Sequence, residues 1–310
     1  MKRFEEIRSR LVALLSDPAM SLTDAALEIA RLEYPRLDAA ATRGSLARFG
    51  DRAAARLERL AGAPPRERVR ELNAVLYDEA GFEGDRLHYD DLRNSCLNAV
   101  VARRRGIPIT LSLVYMEVAA RAGLATKGVS FPGHFLVRCA GEGHHDDLIV
   151  DPFTGGVELS ETDCRRILAN HMGDAAVFSE ELLEPAEPKA VVERMLTNLK
   201  RLYVRQQAFA DARRVTDILL AVDPTSSEEL RDRGLLSFHL GDMNGALRDL
   251  ERYLQEQRLF ARQTARPFDS PGEDAPEPAG TDEAEAESES EESRIWEHVK
   301  TLRRRVASFN

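Results

Sequence analysis

The sequence predicts an α+β protein: a helical N-terminal region, a central core built on a small antiparallel sheet, and helical hairpins towards the C-terminus. Three observations carry this reading. Apolar residues recur at helical spacing through most of residues 1–88 and again beyond 188. Between them, over about 89–183, two short β-type runs flank a polar loop. Residues 188–260 repeat with a period of 34 residues.

The helical region begins with Phe4, Ile7, Leu11, Leu14 and Leu15 on one face. Ser21 precedes Asp24, and Leu22, Ala25, Ala26, Ile29 and Ala30 follow, which predicts a capped helix starting there. Val69, Leu72, Val75 and Leu76 make the apolar face of a helix from about Pro65 to Asp78, with Gly81 and Gly84 as its stop.

In the middle region Asn94-Ser95 can cap a helix from Cys96 to Arg104, and Gly106-Ile107-Pro108 ends it and starts another. That second helix, about Thr110 to Ala122, is apolar nearly all round and is therefore expected to be buried. Residues 128–138 read as a strand entered through the Pro132-Gly133 corner, and Leu148 to Phe153 as a second strand stopped by Pro152. Gly155 to Ser160 reads as a turn and short strand, and Ser160-Glu161-Thr162-Asp163 opens a further helix.

In the repeat, Leu196 maps onto Leu230, Ala212 onto Ala246 and Leu220 onto Leu254, with Pro224 at the junction. This period and pattern resemble tetratricopeptide repeats. Residues 267–293 hold 11 acidic residues and no Lys or Arg, so this tract is expected to be disordered. Ile295, Trp296, Val299, Leu302 and Val306 then form the stripe of a last helix that caps the repeats, with Trp296 as packed core. The expected domains are thus 1–88, 89–183, 188–260, an acidic insertion at 267–293 and a capping helix at 294–310.

Composition narrows the function classes. The net charge is −10, yet outside the acidic tract 43 basic groups face 42 acidic ones, so the folded part carries no bias towards nucleic acid or anionic lipid. No apolar run of about 18 residues is present, so no membrane span is expected. The N-terminal residues lack a signal-peptide core, and the three cysteines are odd in number and widely spaced. Together these predict a cytoplasmic protein without disulfides. Neither a Gly-rich phosphate loop nor a Walker-type lysine indicates a nucleotide cofactor. The expected cofactor set is empty, and the expected partner is a protein or peptide.

His134 and Asp151 are the leading candidates for chemistry. A hairpin mirrored about Glu142–Gly143 sets them opposite each other, with Cβ atoms about 4.5–5.5 Å apart. A carboxylate there orients an imidazole and stabilises its charged form. The same contact serves equally to hold two strands in register. Cys96, at a predicted helix N-terminus where the dipole lowers a thiol pKa, is the candidate nucleophile for Cys–His–Asp acyl transfer. It also reads as a small buried hydrophobe. Cys139 and Cys164 are expected to be inert, and His144-His145-Asp146-Asp147 to be a solvated loop rather than a metal site. The cations of Arg103-Arg104-Arg105 complement a helix C-terminus.

Four segments carry a family resemblance: Asp91 to Leu97, Arg104 to Ser112, Phe131 to Arg138 and Asp151-Pro152-Phe153. Together they resemble the SirB-type transglutaminase-like family, over about residues 20–260 and the final helix. The resemblance implies a papain- or transglutaminase-like core with a helix against a small antiparallel sheet, followed by a tetratricopeptide tail. Two positions depart from it: Leu92 stands where a proline is usual, and Cys96 where an aromatic residue is common. Enzymes of this fold place the catalytic cysteine at the start of the helix preceding the His strand. Here that start holds Thr110 and Ser112 and no cysteine. The resemblance therefore implies a His-Asp cleft, lined by Arg93, Asn94, Thr110 and Ser112, that has lost its nucleophile and binds a peptide or protein. The rival is a working Cys96–His134–Asp151 enzyme. A third reading is a scaffold acting through the repeats and the acidic tract.

Overall fold

A computed structural model describes residues 2–17, 19–141, 147–173, 175–264 and 293–304. The expected acidic insertion, the tip of the 140–147 loop with its two histidines, and Val306 lie outside the described residues. The chain divides into two compact units, Met1–Leu202 and Tyr203–Asn310.

The first unit opens with α1 (Lys2–Leu15), α2 (Leu22–Ala30), α3 (Ala39–Leu57) and α4 (Pro65–Asn73). Ser21 caps α2 by accepting the Asp24 amide at 3.2 Å, as its spacing predicts. The 19-residue α3 is absent from the periodicity reading because its helix is polar overall. Its buried stripe is Leu46, Phe49, Ala53 and Leu57, with Thr42 and Gly50 beside them. Asp38 caps it through the Ala41 amide. Beyond α4 the chain widens into a π-helical turn, Ala74–Glu79, and Gly81 ends it with φ at +71°. Gly84 is not part of that stop. It lies in a two-residue strand, β1 (Glu83–Gly84), where an added Cβ would meet the Phe153 carbonyl at 2.5 Å.

A 3-10 turn, Leu92–Ser95, leads into α5 (Leu97–Arg103), and β2 (Arg105–Gly106) pairs in parallel with β1. Then α6 (Pro108–Arg121) runs through the middle of the unit. Leu111, Leu113, Val114, Tyr115, Val118 and Ala119 are all buried, which fits its all-round apolar sequence. It packs on α3 and on the sheet formed by β3 (Thr126–Val129), β4 (Leu136–Cys139), β5 (Leu148–Asp151) and β6 (Val157–Glu158), antiparallel in that order.

The structure corrects two readings of this sheet. Residues 128–138 are not one strand. Phe131-Pro132-Gly133-His134 is a turn closed by the His134 amide on the Phe131 carbonyl at 3.1 Å, with Gly133 at φ +69°. Proline at the first central position and a positive-φ glycine at the second define a type II turn, so β3 and β4 become a hairpin. The register of β4 on β5 is also shifted by two residues. Val137 faces Val150, which continues to put Leu136, not His134, across from Asp151. His134 lies in the turn before β4, outside the paired residues.

The unit closes with α7 (Glu161–Met172), started by a Ser160–Asp163 capping box, and with α8 (Pro188–Arg205), within which the division between units falls.

The second unit contains α9 (Phe209–Val222), α10 (Ser227–His239), α11 (Met243–Thr264) and a helix over 293–304, here α12. Of the repeat-matched positions, Leu196, Leu230, Ala212, Ala246 and Leu254 are buried, and Leu220 is half-buried. Small residues let consecutive helices approach. A Cβ on Gly234 of α10 would sit 2.7 Å from Leu250 of α11. Ile295, Val299 and Leu302 of α12 complete the core with Leu250 and Leu254, and Trp296 packs half-buried at its margin.

Candidate functional site

The candidate site stands at one end of the sheet's central strands, where the β3–β4 turn meets the end of β5. Asp151 is the last residue of β5 and caps a 3-10 turn, Pro152–Thr154. Its Oδ1 accepts the Phe153 amide at 2.9 Å, and its Oδ2 accepts the Thr154 hydroxyl at 2.8 Å. The carboxylate is 4% exposed and fixed from its own chain. His134 Nε2 stands 2.9 Å from the same Oδ1. The contact is diagonal across the sheet rather than directly cross-strand, and the turn that carries His134 closes the gap.

Three further groups hold this arrangement. Arg194 of α8 donates from Nη2 to the His134 carbonyl at 2.9 Å and from Nη1 to Ser130 Oγ at 3.0 Å. Burial, reinforced by nearby Arg201, pulls its pKa down. Phe153 packs edge-to-face on His134 at 5.9 Å and on Tyr89 at 6.0 Å, with the Arg86 guanidinium 5.7 Å over its ring. Tyr77 donates to the Pro152 carbonyl at 3.1 Å, and its hydroxyl pKa is raised by burial and then by the Asp151 charge. Phe153 stands in the Asp151-Pro152-Phe153 segment of the family resemblance, whereas Arg194 and Tyr77 were not singled out by sequence. Thr154 carried a signal, as a hydroxyl just after an Asp-Pro turn; Arg194 carried none, being one arginine among several on an amphipathic helix.

The residues expected to supply or line the nucleophile position are disposed differently. Asn94 is fully buried and its amide is spent on a structural brace. It donates to the His88 carbonyl at 2.7 Å and to Asp85 Oδ2 at 3.2 Å, and accepts from Arg103 at 3.0 Å. Thr110 is fully buried and donates to the Asn94 carbonyl at 2.8 Å, and Ser112, also fully buried, donates to the Phe135 carbonyl. Arg93 is the exposed member of the set and is bound to the Asp91 carboxylate. The three consecutive arginines divide between partners: Arg103 on Asp85, Arg104 over Phe49 and Phe82, Arg105 on Glu83.

Cys96 precedes α5 but lies in an apolar cluster with Ala30 and Ala99, flanked by Tyr34 and Leu37. The expected lowering of its thiol pKa is reversed. Burial, with Glu33 and Asp91 adding to it, pushes the thiol from an ordinary 9.0 to about 12. Cys139 is likewise pushed to about 12 and Cys164 to about 11, burial leading in each case. His134 Nδ1 has no hydrogen-bond partner among the described residues. Among those residues no group of His, Cys, Asp and Glu could hold a metal ion, and no helix is long and apolar enough to cross a membrane.

The model of the transglutaminase-like superfamily matches residues 40–197, and that of the tetratricopeptide repeat matches 199–267. A UPF0162 protein of Xylella fastidiosa (strain Temecula1) is 38% identical over 249 residues, 79% of this chain and 86% of the relative. The chain belongs to the SirB-type transglutaminase-like family. Protein SirB1 of Salmonella typhimurium is 28% identical over 191 residues, 61% of this chain and 70% of that protein. Human F-box only protein 21 is 35% identical over 179 residues, 55% of this chain but 28% of its own length. No solved structure matches. In this SirB-type chain the start of α6, where a transglutaminase-like nucleophile is expected, carries two hydroxyls tied to backbone carbonyls.

Proposed function

We propose that this SirB-type protein is a catalytically degenerate transglutaminase-like protein that binds a peptide or protein at the His134–Asp151 site, with its helical repeats as a second docking surface. The observation that carries this reading is the isolation of His134 Nδ1. The imidazole is oriented by a fixed carboxylate, as a base for acyl transfer requires, yet no described hydroxyl or thiol shares its proton. A thiol with a pKa near 12 holds a negligible thiolate fraction at neutral pH. Beside the pair, Phe153 and the 44%-exposed Tyr89 supply aromatic surface. Such groups suit an extended peptide better than a small polar substrate. Tetratricopeptide repeats generally mediate protein interactions, which supports a partner of this class.

The test pairs binding with turnover. Peptides selected on the wild-type chain should bind Cys96→Ala unchanged and bind Phe153→Ala at least about tenfold more weakly, in the range of one lost aromatic anchor. No peptide should be cleaved or acyl-transferred. Turnover that vanishes in Cys96→Ala would instead establish the Cys96–His134–Asp151 enzyme.

A further inference from the structure

A second site lies away from the His-Asp pair. A cavity of about 560 Å³ opens between the α2–α3 connection, α1, α3 and α5. Its volume is within the ~300–1,000 Å³ usual for small-molecule sites. Three features give it a chemistry. Asn98 of α5 lines it, and Asn98 Oδ1 is buried with no hydrogen-bond partner. A buried acceptor left unpaired is rare in a native fold and asks for a donor. Arg36 and Arg3 line it too, and neither has a hydrogen-bond or ion-pair partner among the described residues. Tyr34 and Leu37 form an apolar wall, and behind that wall they pack on Cys96.

We infer that this cavity binds an N-acyl amino-acid carboxylate, the chemistry shared by a free peptide C-terminus and a small N-acylated amino acid. The ligand amide N–H satisfies Asn98 Oδ1. A guanidinium forks the carboxylate, the geometry at which arginine excels. The side chain of the terminal residue lies on Tyr34 and Leu37. Glu33 and Asp38 also line the cavity, so its charged side chains balance. Asp38 is already engaged as the α3 cap. This balance favours a monoanion over a phosphate dianion, which the two carboxylates would repel. The site is independent of the His134–Asp151 reading and does not use Cys96 as a nucleophile.

The full chain is titrated with N-acetyl-L-leucine, and the Asn98 side-chain amide is followed by NMR, its signal assigned by its loss in Asn98→Leu. A saturable shift is expected, with N-acetyl-leucinamide at least about tenfold weaker because the charge-assisted pair is lost. Arg36→Gln should weaken binding to a similar degree. Arg36 is exposed, so this variant keeps the test valid even where Asn98→Leu fails to fold. A hexapeptide ending in a free leucine carboxylate distinguishes the sources. Tighter binding than N-acetyl-leucine supports a peptide end, and equal binding supports the small molecule. Absence of a saturable shift at Asn98, equal response to carboxylate and carboxamide, or undiminished binding by Arg36→Gln overturns the inference.

Discussion

Asp151 spends both carboxylate oxygens on groups of its own turn before it meets His134. Replacing it therefore does more than remove a partner of the histidine. Asp151→Ala leaves the Phe153 amide without its acceptor in a half-buried turn and leaves the Thr154 hydroxyl only the long bond to the Asp151 carbonyl at 3.4 Å, and it should destabilise the first unit by about 1–3 kcal/mol, read from urea unfolding. His134→Ala, at the more exposed end of the same contact, should cost less than half as much. Cys96 makes a prediction of opposite character. Its folded pKa lies above its ordinary value, so the neutral thiol contributes stability that is fully present below about 9 and is lost as pH rises towards about 12. Wild type should lose stability more steeply than Cys96→Ala across that window, in unfolding series at matched ionic strength. At this scale the sequence disclosed the Ser21 and Ser160 caps, which depend on neighbours a few residues away, and the contact of His134 with Asp151, although the contact is made through a turn and not through the expected strand register. The burial of Asn94 was hidden, because its partners Asp85 and Arg103 come from other elements.

At the scale of elements, the Pro132-Gly133 pair determines more than its local corner. Proline cannot donate to a strand ladder, and a positive-φ glycine turns the chain, so one expected strand becomes two. The turn lifts His134 off the strand and lets it reach Asp151 despite the shifted register. Arg194 of α8 then pins that turn through the His134 carbonyl. Arg194→Gln should loosen it by about 1.5–3 kcal/mol, the range for hydrogen bonds to a charged group. Hydrogen exchange should rise at residues 130–135 while β5 stays protected; equal acceleration in both would mean a general loss of stability. The buried α6 and the α7 cap were legible because periodicity and capping act within one element. The register of β4 on β5 was not, because it depends on a loop whose length does not fix its turn.

Across the whole molecule, the 34-residue repeat was readable from matched small and apolar positions, of which Leu196, Ala212, Leu230, Ala246 and Leu254 are buried and Leu220 half-buried. Gly234 is where two of those helices come closest. Gly234→Val should overpack α10 against α11 and lower the stability of the second unit by about 1–3 kcal/mol, leaving the first unit's unfolding midpoint unchanged in a denaturant series. Deleting 267–293 should leave peptide binding at the His134–Asp151 site intact, whereas a scaffold acting through that tract would lose its partner.

The proposed function rests on an oriented imidazole without a thiolate beside it. The most direct measurement is iodoacetamide alkylation of each cysteine in the folded protein across pH, resolved by peptide mass spectrometry. All three thiols should stay unmodified from neutral pH to about 9 and react only on unfolding, because burial holds their pKa at about 11 to 12. A Cys96 that reacts in the folded chain well below about 8.5, the unperturbed thiol value, and loses that reactivity in His134→Ala would contradict the account and establish a thiolate–imidazolium pair.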